Sequence, residues 1–475
     1  MKKVVFILFI LVVFIRPALA NDNEIAAGIE DAIYSTKKIN FKTLNFGIMV
    51  QNVETGKTIY QYNENHLFTP ASVQKLFTAT AALSYLKPNY RFITNIYTTG
   101  VIHNNTLIGD VYIKFVGDPF FKRKYLHAMI NEMHAKGIHR IKGHVYIDNS
   151  DYDNVPYPPG WIWDDLSYSY AAPVNAIILN RNKFLLHFIP SQKTLGTPTL
   201  STKIPSSILH FHNHVETTST FQKKCPLRIY SDDVNNYMLH GCLYRKWGEQ
   251  RRSLAVRDVV HYAEFLTKEY LKDNAITYHG DISLKQAPQH RHAFVSHQSP
   301  QLSKIIKEML KKSDNLTTDA IFKKLGEEYY HTQGTWQNSL DALKKILALP
   351  ANIDFKKNHL NDGAGLSRYN LIKPSQFIKL LYYIHHNPTV RPALYDALPI
   401  AGKDGTLDER MLNLGTSERV HAKTGSMAGV TTLTGFVQTK NHGMLTFVIM
   451  INDFLGNDHR FLRLQNKVCE YLAHA

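Results

Sequence analysis

The chain has 475 residues, 44% of them hydrophobic and 20% charged, which excludes a disordered or low-complexity protein. The length exceeds one ordinary core and predicts two or three domains of roughly 100–200 residues each. A formal net charge of +16 suits polyanionic surroundings such as nucleic acid, anionic lipid or a bacterial wall, but the positive charges are spread along the chain, and no Arg-rich run or basic heptad argues for nucleic acid.

Lys2 and Lys3 precede an apolar run from Val4 to Ile15, followed by Ala18-Leu19-Ala20. That order predicts a secretory signal peptide cleaved after Ala20, because the run is too short for a membrane span of about 20 apolar residues. Export places the three cysteines in an oxidising compartment, where Cys225 and Cys242 are able to bridge or to stay as thiols. Cys469 is expected to be buried in a C-terminal helix.

Residues 44–62 read as two strands around a turn at Glu54-Thr55-Gly56-Lys57. A helix is predicted next, with Thr69 as its cap, Pro70 in its first position, and Ser72 and Lys75 in its first turns. From residue 87 to 297 short β-rich stretches (92–98, 110–116, 184–189) alternate with Pro, Asn and Gly turns, as in inserted β-rich modules. Helical patterning returns at 301–312, breaks at Ser313-Asp314-Asn315 and resumes to about 330. Strands are predicted at 420–424, 431–439 and 444–452, then a helix over 458–472 with Phe461, Leu464, Val468 and Leu472 on its core face. The implied architecture is α/β: one domain built from residues 21–86 and 298–475, split by the insertion at 87–297.

Three short motifs carry chemistry: Ser72-Val73-Gln74-Lys75, Ser313-Asp314-Asn315 and Lys423-Thr424-Gly425. Each has an ordinary reading as helix surface, helix cap or exposed strand end. Together and in this order they are the set of serine β-lactamases and penicillin-binding proteins. Three residues apart on a helix, Ser72 and Lys75 share a face, so an amine can reach the hydroxyl. A helix dipole of ~0.3–2 kcal/mol is too weak to activate a serine unaided. Lys75 must therefore act as a base and lose about three units from its reference of ~10.4, through burial and the second ammonium of Lys423. Gly425 lets a substrate backbone approach, while Lys423 and Thr424 can hold a terminal carboxylate.

At these residues the chain resembles the class C low-molecular-mass penicillin-binding proteins, the D-alanyl-D-alanine carboxypeptidases/endopeptidases. The resemblance covers nearly all of the mature chain. It extends to Asp362-Gly363-Ala364-Gly365-Leu366-Ser367-Arg368, to residues 398–407, to His421-Ala422-Lys423-Thr424-Gly425-Ser426, and inside the insertion to Gly117-Asp118-Pro119 and residues 165–182. Ala364 departs from the Ser usual in that family. The resemblance implies a penicillin-binding/serine β-lactamase-like transpeptidase fold, an antiparallel sheet with flanking helices. It also implies two inserted β-rich domains, one nested in the other, at about 87–183 with 265–297 and 184–264. Ser72 is the implied acylated nucleophile, Lys75 its base, Ser313 a proton relay and Asn315 a substrate-orienting residue. Lys423 and Thr424 would bind the terminal D-Ala carboxylate, with Gly425 and Ser426 beside them. The Ser72 and Ser426 N–H groups would form the oxyanion hole, and Arg368 and Asp165 would border the site for the acyl-donor side chain. The implied ligands are peptidoglycan peptides and β-lactam antibiotics, in the periplasm, without cofactor or nucleic acid and with at most loose membrane association.

Two other readings compete. A β-lactamase needs a carboxylate that activates the deacylating water, and Glu409-Arg410-Met411-Leu412-Asn413 matches the required pattern only formally, close before Lys423 and far from Asn315. An inert wall-binding scaffold would tolerate loss of Ser72 or Lys75, which are both present. His210, His212 and His214 alternate as metal ligands on a strand would, but no Cys or acidic partner stands at ligand spacing, so no metal is expected.

Overall fold

The computed structural model describes residues 22–475 except 37, 38, 40, 290, 291 and 414, and the expected signal peptide lies outside the described residues. The apolar runs near the C-terminus form the antiparallel strands Val420–Met427, Val430–Gln438 and Met444–Asn452. Asn45–Asn52 pairs with the last of these, Asn45 opposite Asn452 through Asn52 opposite Leu445, and Thr58–Tyr62 completes a five-stranded sheet. The two ends of the chain thus share one sheet with Val420–Met427 at its edge.

Met444–Asn452 is largely apolar because both its faces are covered. Phe447, Ile449 and Ile451 pack in one cluster with Phe461, Leu464, Val468 and Leu472 of the helix His459–His474. Val448 and Met450 join the opposite cluster, with Phe77 of the helix Lys75–Tyr85 and Phe377 of Pro374–His386. Each such buried side chain stabilises the fold by about 1.5–3 kcal/mol. Leu302–Lys312, Asn315–Tyr330 and Trp336–Leu347 complete this second layer.

The insertion holds a five-stranded mixed sheet in the order Ile282–Leu284, Val145–Asp148, Val111–Lys114, Ile93–Thr98 and Ala293–Gln298. Beyond the expected strands it contains two helices, Arg123–Ala135 and Val259–Asp273, which pack against each other. The first was hidden in the sequence: no side chain caps it, and its apolar stripe is only Leu126, Met129, Ile130 and Met133. The second runs unbroken across residue 264. Between them, Lys183–Ile189 pairs with Thr199–Ser201 and Gln250–Ala255, and Asn236–Tyr244 pairs with His210–Thr218 and Arg228–Ser231. Cys225 and Cys242 are bridged there, whereas Cys469 is free and buried. His210, His212 and His214 lie exposed on their strand, and among the described residues no three His, Cys, Asp or Glu side chains form a metal-holding group. No helix among the described residues is long and apolar enough to cross a membrane.

Ion pairs lock the insertion onto the Asn315–Tyr330 helix: Lys324 lies 2.6 Å from Asp151, and Lys323 2.6 Å from Asp153. All four side chains are largely buried, so removing one partner would strand a charge.

Candidate active site

The expected helix begins later than its sequence signals. Thr69 makes no cap, residues Ala71–Gln74 form a 3-10 turn, and the α-helix starts at Lys75. Ala71 sits at φ +50°, a conformation unfavourable for a residue with a Cβ. It is held in place from two sides. A Cβ on Gly365 would come within 2.0 Å of the Ala71 carbonyl oxygen, and one on Gly425 within 2.9 Å of the Pro70 oxygen and 3.0 Å of the Ser72 nitrogen. Gly425 therefore lets the edge strand approach the Ser72 turn itself. Lys423-Thr424-Gly425 also stands in mid-strand, since Val420–Met427 runs past the end expected for it.

Lys75 is fully buried, and three oxygens surround its Nζ: Ser72 Oγ at 2.8 Å, Asn315 Oδ1 at 2.6 Å and the Ala364 carbonyl at 2.8 Å. A neutral amine has two N–H bonds and one lone pair. The Asn315 and Ala364 oxygens can only accept, so they take the two N–H groups and leave the lone pair to the Ser72 hydroxyl. Because Ala364 contributes its carbonyl, its missing side-chain hydroxyl does not affect this contact. Burial lowers the Lys75 pKa from 10.5 to about 8, against the opposing pull of Asp319, Asp362 and Asp314. Burial is thus the largest cause of the shift. Lys423 is itself pushed well below the usual lysine range, by burial and then by the Lys75 ammonium.

Ser313 ends the Leu302–Lys312 helix in the left-handed conformation, φ +55°. Asp314 then caps the next helix by accepting from the Thr317 N–H at 2.8 Å, which leaves Ser313 and Asn315 facing the site. Lys423 Nζ donates to Ser313 Oγ at 2.9 Å and to the Thr424 carbonyl at 2.7 Å. Thr424 Oγ1 meets Thr406 Oγ1 at 2.7 Å.

Ser72, Ser313, Asn315, Arg368, Ser426 and Asp165 converge on one cleft of about 630 Å³. Lys75, Lys423, Thr424 and Gly425 are not among its lining residues and stand behind it. Arg368 donates to the Ala428 carbonyl at 2.7 Å. Asp165 accepts from the Tyr170 hydroxyl at 2.7 Å, and the Tyr170 carbonyl accepts from Asn315 Nδ2 at 2.8 Å, so the insertion closes one wall.

The D-Ala-D-Ala carboxypeptidase 3 (S13) family matches residues 30–469. The chain belongs to this family. It is 31% identical over 416 residues to the D-alanyl-D-alanine carboxypeptidase DacB of Haemophilus influenzae, covering 87% of this chain and 86% of that one. The D-alanyl-D-alanine carboxypeptidase of Actinomadura sp. strain R39 is 27% identical, covering 86% and 78%. The crystal structure of penicillin binding protein 4 (dacB) from H. influenzae superposes with a TM-score of 0.87 at 29% identity, over 94% of this chain and 99% of that one. A second structure of that protein, complexed with a novel β-lactam, gives a TM-score of 0.82 at 28% identity, over 94% and 100%.

Two buried acids beside the cleft have no role assigned by the sequence motifs. The Asp362 carboxylate accepts from the backbone N–H groups of Gly365, Leu366 and Ser367 at 2.7–2.9 Å, from Asn370 at 2.8 Å and from the Trp161 indole at 2.9 Å. It thereby shapes the turn that presents the Ala364 carbonyl. The signal was present, as an Asp ahead of Gly-x-Gly is a turn anchor. Asp319 is fully buried and accepts from the Gly363 N–H at 2.8 Å. Burial, then Asp362, raises its pKa well above the carboxylate range. Burial therefore favours the uncharged forms of both Asp319 and Lys75.

Gly425→Ala tests the packing of the turn that carries Ser72. Its Cβ would lie 2.2 Å from Thr432 Oγ1 and press on Pro70 and Ser72. The expected loss is about 1–3 kcal/mol of stability by denaturant titration. Penicillin acylation should slow by at least about tenfold, because small displacements of reacting groups are costly.

Proposed function

We propose that the chain is a serine DD-peptidase that cleaves the D-Ala-D-Ala or D-Ala-diaminopimelate bond of peptidoglycan stem peptides through an acyl-enzyme on Ser72. The observation that carries this reading is the buried Lys75 amine, 2.8 Å from Ser72 Oγ with its other two hydrogen-bonding directions occupied. Ser72 Oγ attacks the carbonyl carbon of the penultimate D-Ala while Lys75 takes its proton. The C–N bond breaks, and a proton reaches the leaving amine by way of Ser313, which Lys423 holds. Water then hydrolyses the ester. The Ser72 and Ser426 N–H groups serve as oxyanion donors, and the free edge at 423–427 aligns the substrate backbone. Thr424, supported by Lys423, receives the terminal carboxylate, while Arg368 and Asp165 border the acyl-donor side chain. The catalytic unit comprises residues 21–86 with 298–475, and 87–297 is an insertion with one module nested in another. The protein acts in the periplasm after removal of residues 1–20, on peptidoglycan peptides and with β-lactams as acylating inhibitors.

The β-lactamase reading lacks support from Glu409, which is exposed and is not among the cleft residues. Its neighbour Arg410 is bonded to Gln465 and Asn466 of the terminal helix. The test is benzylpenicillin turnover: a stoichiometric burst followed by slow release is expected, whereas rapid multiple turnover would overturn the peptidase assignment.

A further inference from the structure

The Ser313-Asp314-Asn315 turn is held from outside its own two helices. Residues 180–182 of the insertion all have left-handed backbone, with φ of +53°, +61° and +48°. Asparagine tolerates that conformation, and both asparagines are tied down locally. Asn180 Oδ1 accepts from the Arg123 N–H at 3.1 Å, and the buried Asn182 donates to the Pro173 and Ile177 carbonyls at 3.3 and 3.0 Å. Arginine gains no such local contact from a left-handed backbone; the side chain of Arg181 spends its contacts on the motif. Its guanidinium lies over the Phe120 ring, 5.1 Å from the centroid. Nη2 donates to Glu308 Oε1 at 2.5 Å, and Nη1 stands 3.4 Å from Asp314 Oδ2. Glu308 belongs to the helix that ends at Ser313, and Asp314 caps the helix that begins at Asn315. One side chain, only 18% exposed, thus ties the two helices together across the motif.

We propose that Arg181 is a positioning residue for the acyl-transfer step. It touches no reacting atom and acts through Asp314. That carboxylate is shared: Oδ1 accepts from the Thr317 N–H at 2.8 Å, and Oδ2 faces Arg181. The guanidinium fixes its rotation and, through it, the turn in which Ser313 takes φ +55°. Ser313 Oγ depends on that turn for its 2.9 Å contact with Lys423, and Asn315 for its 2.6 Å contact with Lys75. Lys323 and Lys324 also join the insertion to the Asn315–Tyr330 helix, but further along it and away from the motif. A lysine at 181 would carry one nitrogen in place of the planar fork, so it could not span Glu308 and Asp314 together. The inference rests on the DD-peptidase reading of the cleft and adds a residue of the insertion that sets its geometry.

The test is stopped-flow acylation of the full chain by benzylpenicillin, resolved into a non-covalent binding constant and a first-order acylation rate. A first-order rate does not depend on the amount of folded protein, so it separates positioning from a loss of stability. Arg181→Ala is expected to slow that step at least about tenfold, because small displacements of reacting groups are costly. The binding constant should stay within about threefold of wild type, as for an interaction that matters only in the transition state. A cavity of about 340 Å³, lined by Phe120, Arg181 and Glu308, opens beside the guanidinium. Free guanidinium can therefore reach the two acids in the alanine variant. Guanidinium chloride, well below denaturing concentrations, should restore acylation several-fold, and sodium chloride at the same ionic strength should not. Arg181→Lys carries the test if the alanine variant does not fold, and it should acylate at least about threefold more slowly than wild type. A first-order rate within about twofold of wild type in the folded variant, a fall confined to the binding constant, or no selective restoration by guanidinium would each overturn the positioning role. A wild-type chain that is not acylated would instead overturn the DD-peptidase reading, and this role with it.

Discussion

Ser72→Ala is expected to lower D-Ala release from a D-Ala-D-Ala peptide by at least about 10⁴-fold and to abolish the covalent penicillin adduct. The expected size follows from removing the nucleophile of a unit whose members act together, where a single deletion costs nearly as much as losing them all. The substitution should not unfold the chain. Ser72 is only half-buried, and the Asn315 and Ala364 oxygens still occupy Lys75 when the hydroxyl is gone. Non-covalent binding of the peptide should survive, since the edge strand, Arg368 and Asp165 are untouched. Steady-state hydrolysis, thermal unfolding and equilibrium binding, measured on one preparation, separate loss of chemistry from loss of structure.

Lys75→Met is expected to slow penicillin acylation by about 10²–10⁴-fold, the usual contribution of a positioned general base. Methionine fills nearly the same volume but leaves Asn315 Oδ1 and the Ala364 carbonyl without their donor, at about 1–3 kcal/mol for each buried group left unpaired. Part of that cost is offset because a buried ionisable group has gone. The pH profile distinguishes the base from a structural role. With the amine held at about 8, wild-type acylation should rise with pH along a limb centred near 8 as the lone pair becomes available. The variant should lose that limb.

Stability carries the same signature. The folded-state pKa of Lys75 is lowered from 10.5 to about 8, so between those values the unfolded chain binds a proton that the folded chain has shed. Its contribution to stability therefore rises with pH across that window, and below about pH 8 the buried ammonium weakens the fold. Denaturant titrations of wild type and Lys75→Met from pH 7 to 10 should differ in slope in that direction.

Much of the site was legible because its chemistry is local in sequence. Ser72 and Lys75 needed only helical spacing to meet, and Ser313 and Asn315 needed only a break between two helices. The strands at the C-terminus were legible because burial on both faces leaves largely apolar runs, as in Met444–Asn452. What stayed hidden depends on distant chain segments. The Ala71 conformation is fixed by Gly365 and Gly425, almost 300 and more than 350 residues away in sequence respectively. Lys75 owes its lowered pKa chiefly to complete burial, which spacing alone cannot reveal. Asp362 and Asp319 went unassigned because an acid becomes a backbone anchor only once a particular turn folds around it. The helices Arg123–Ala135 and Val259–Asp273 were masked by the turn-rich texture around them.

The most direct test of a hydroxyl activated by a neutral amine is to incubate the chain with benzylpenicillin, digest it and locate the adduct by mass spectrometry. One penicilloyl group per chain is expected, on the peptide carrying Ser72 and formed faster at pH 8.5 than at pH 7. An adduct on any other residue, or none from a preparation that still hydrolyses the D-Ala-D-Ala peptide, would contradict it.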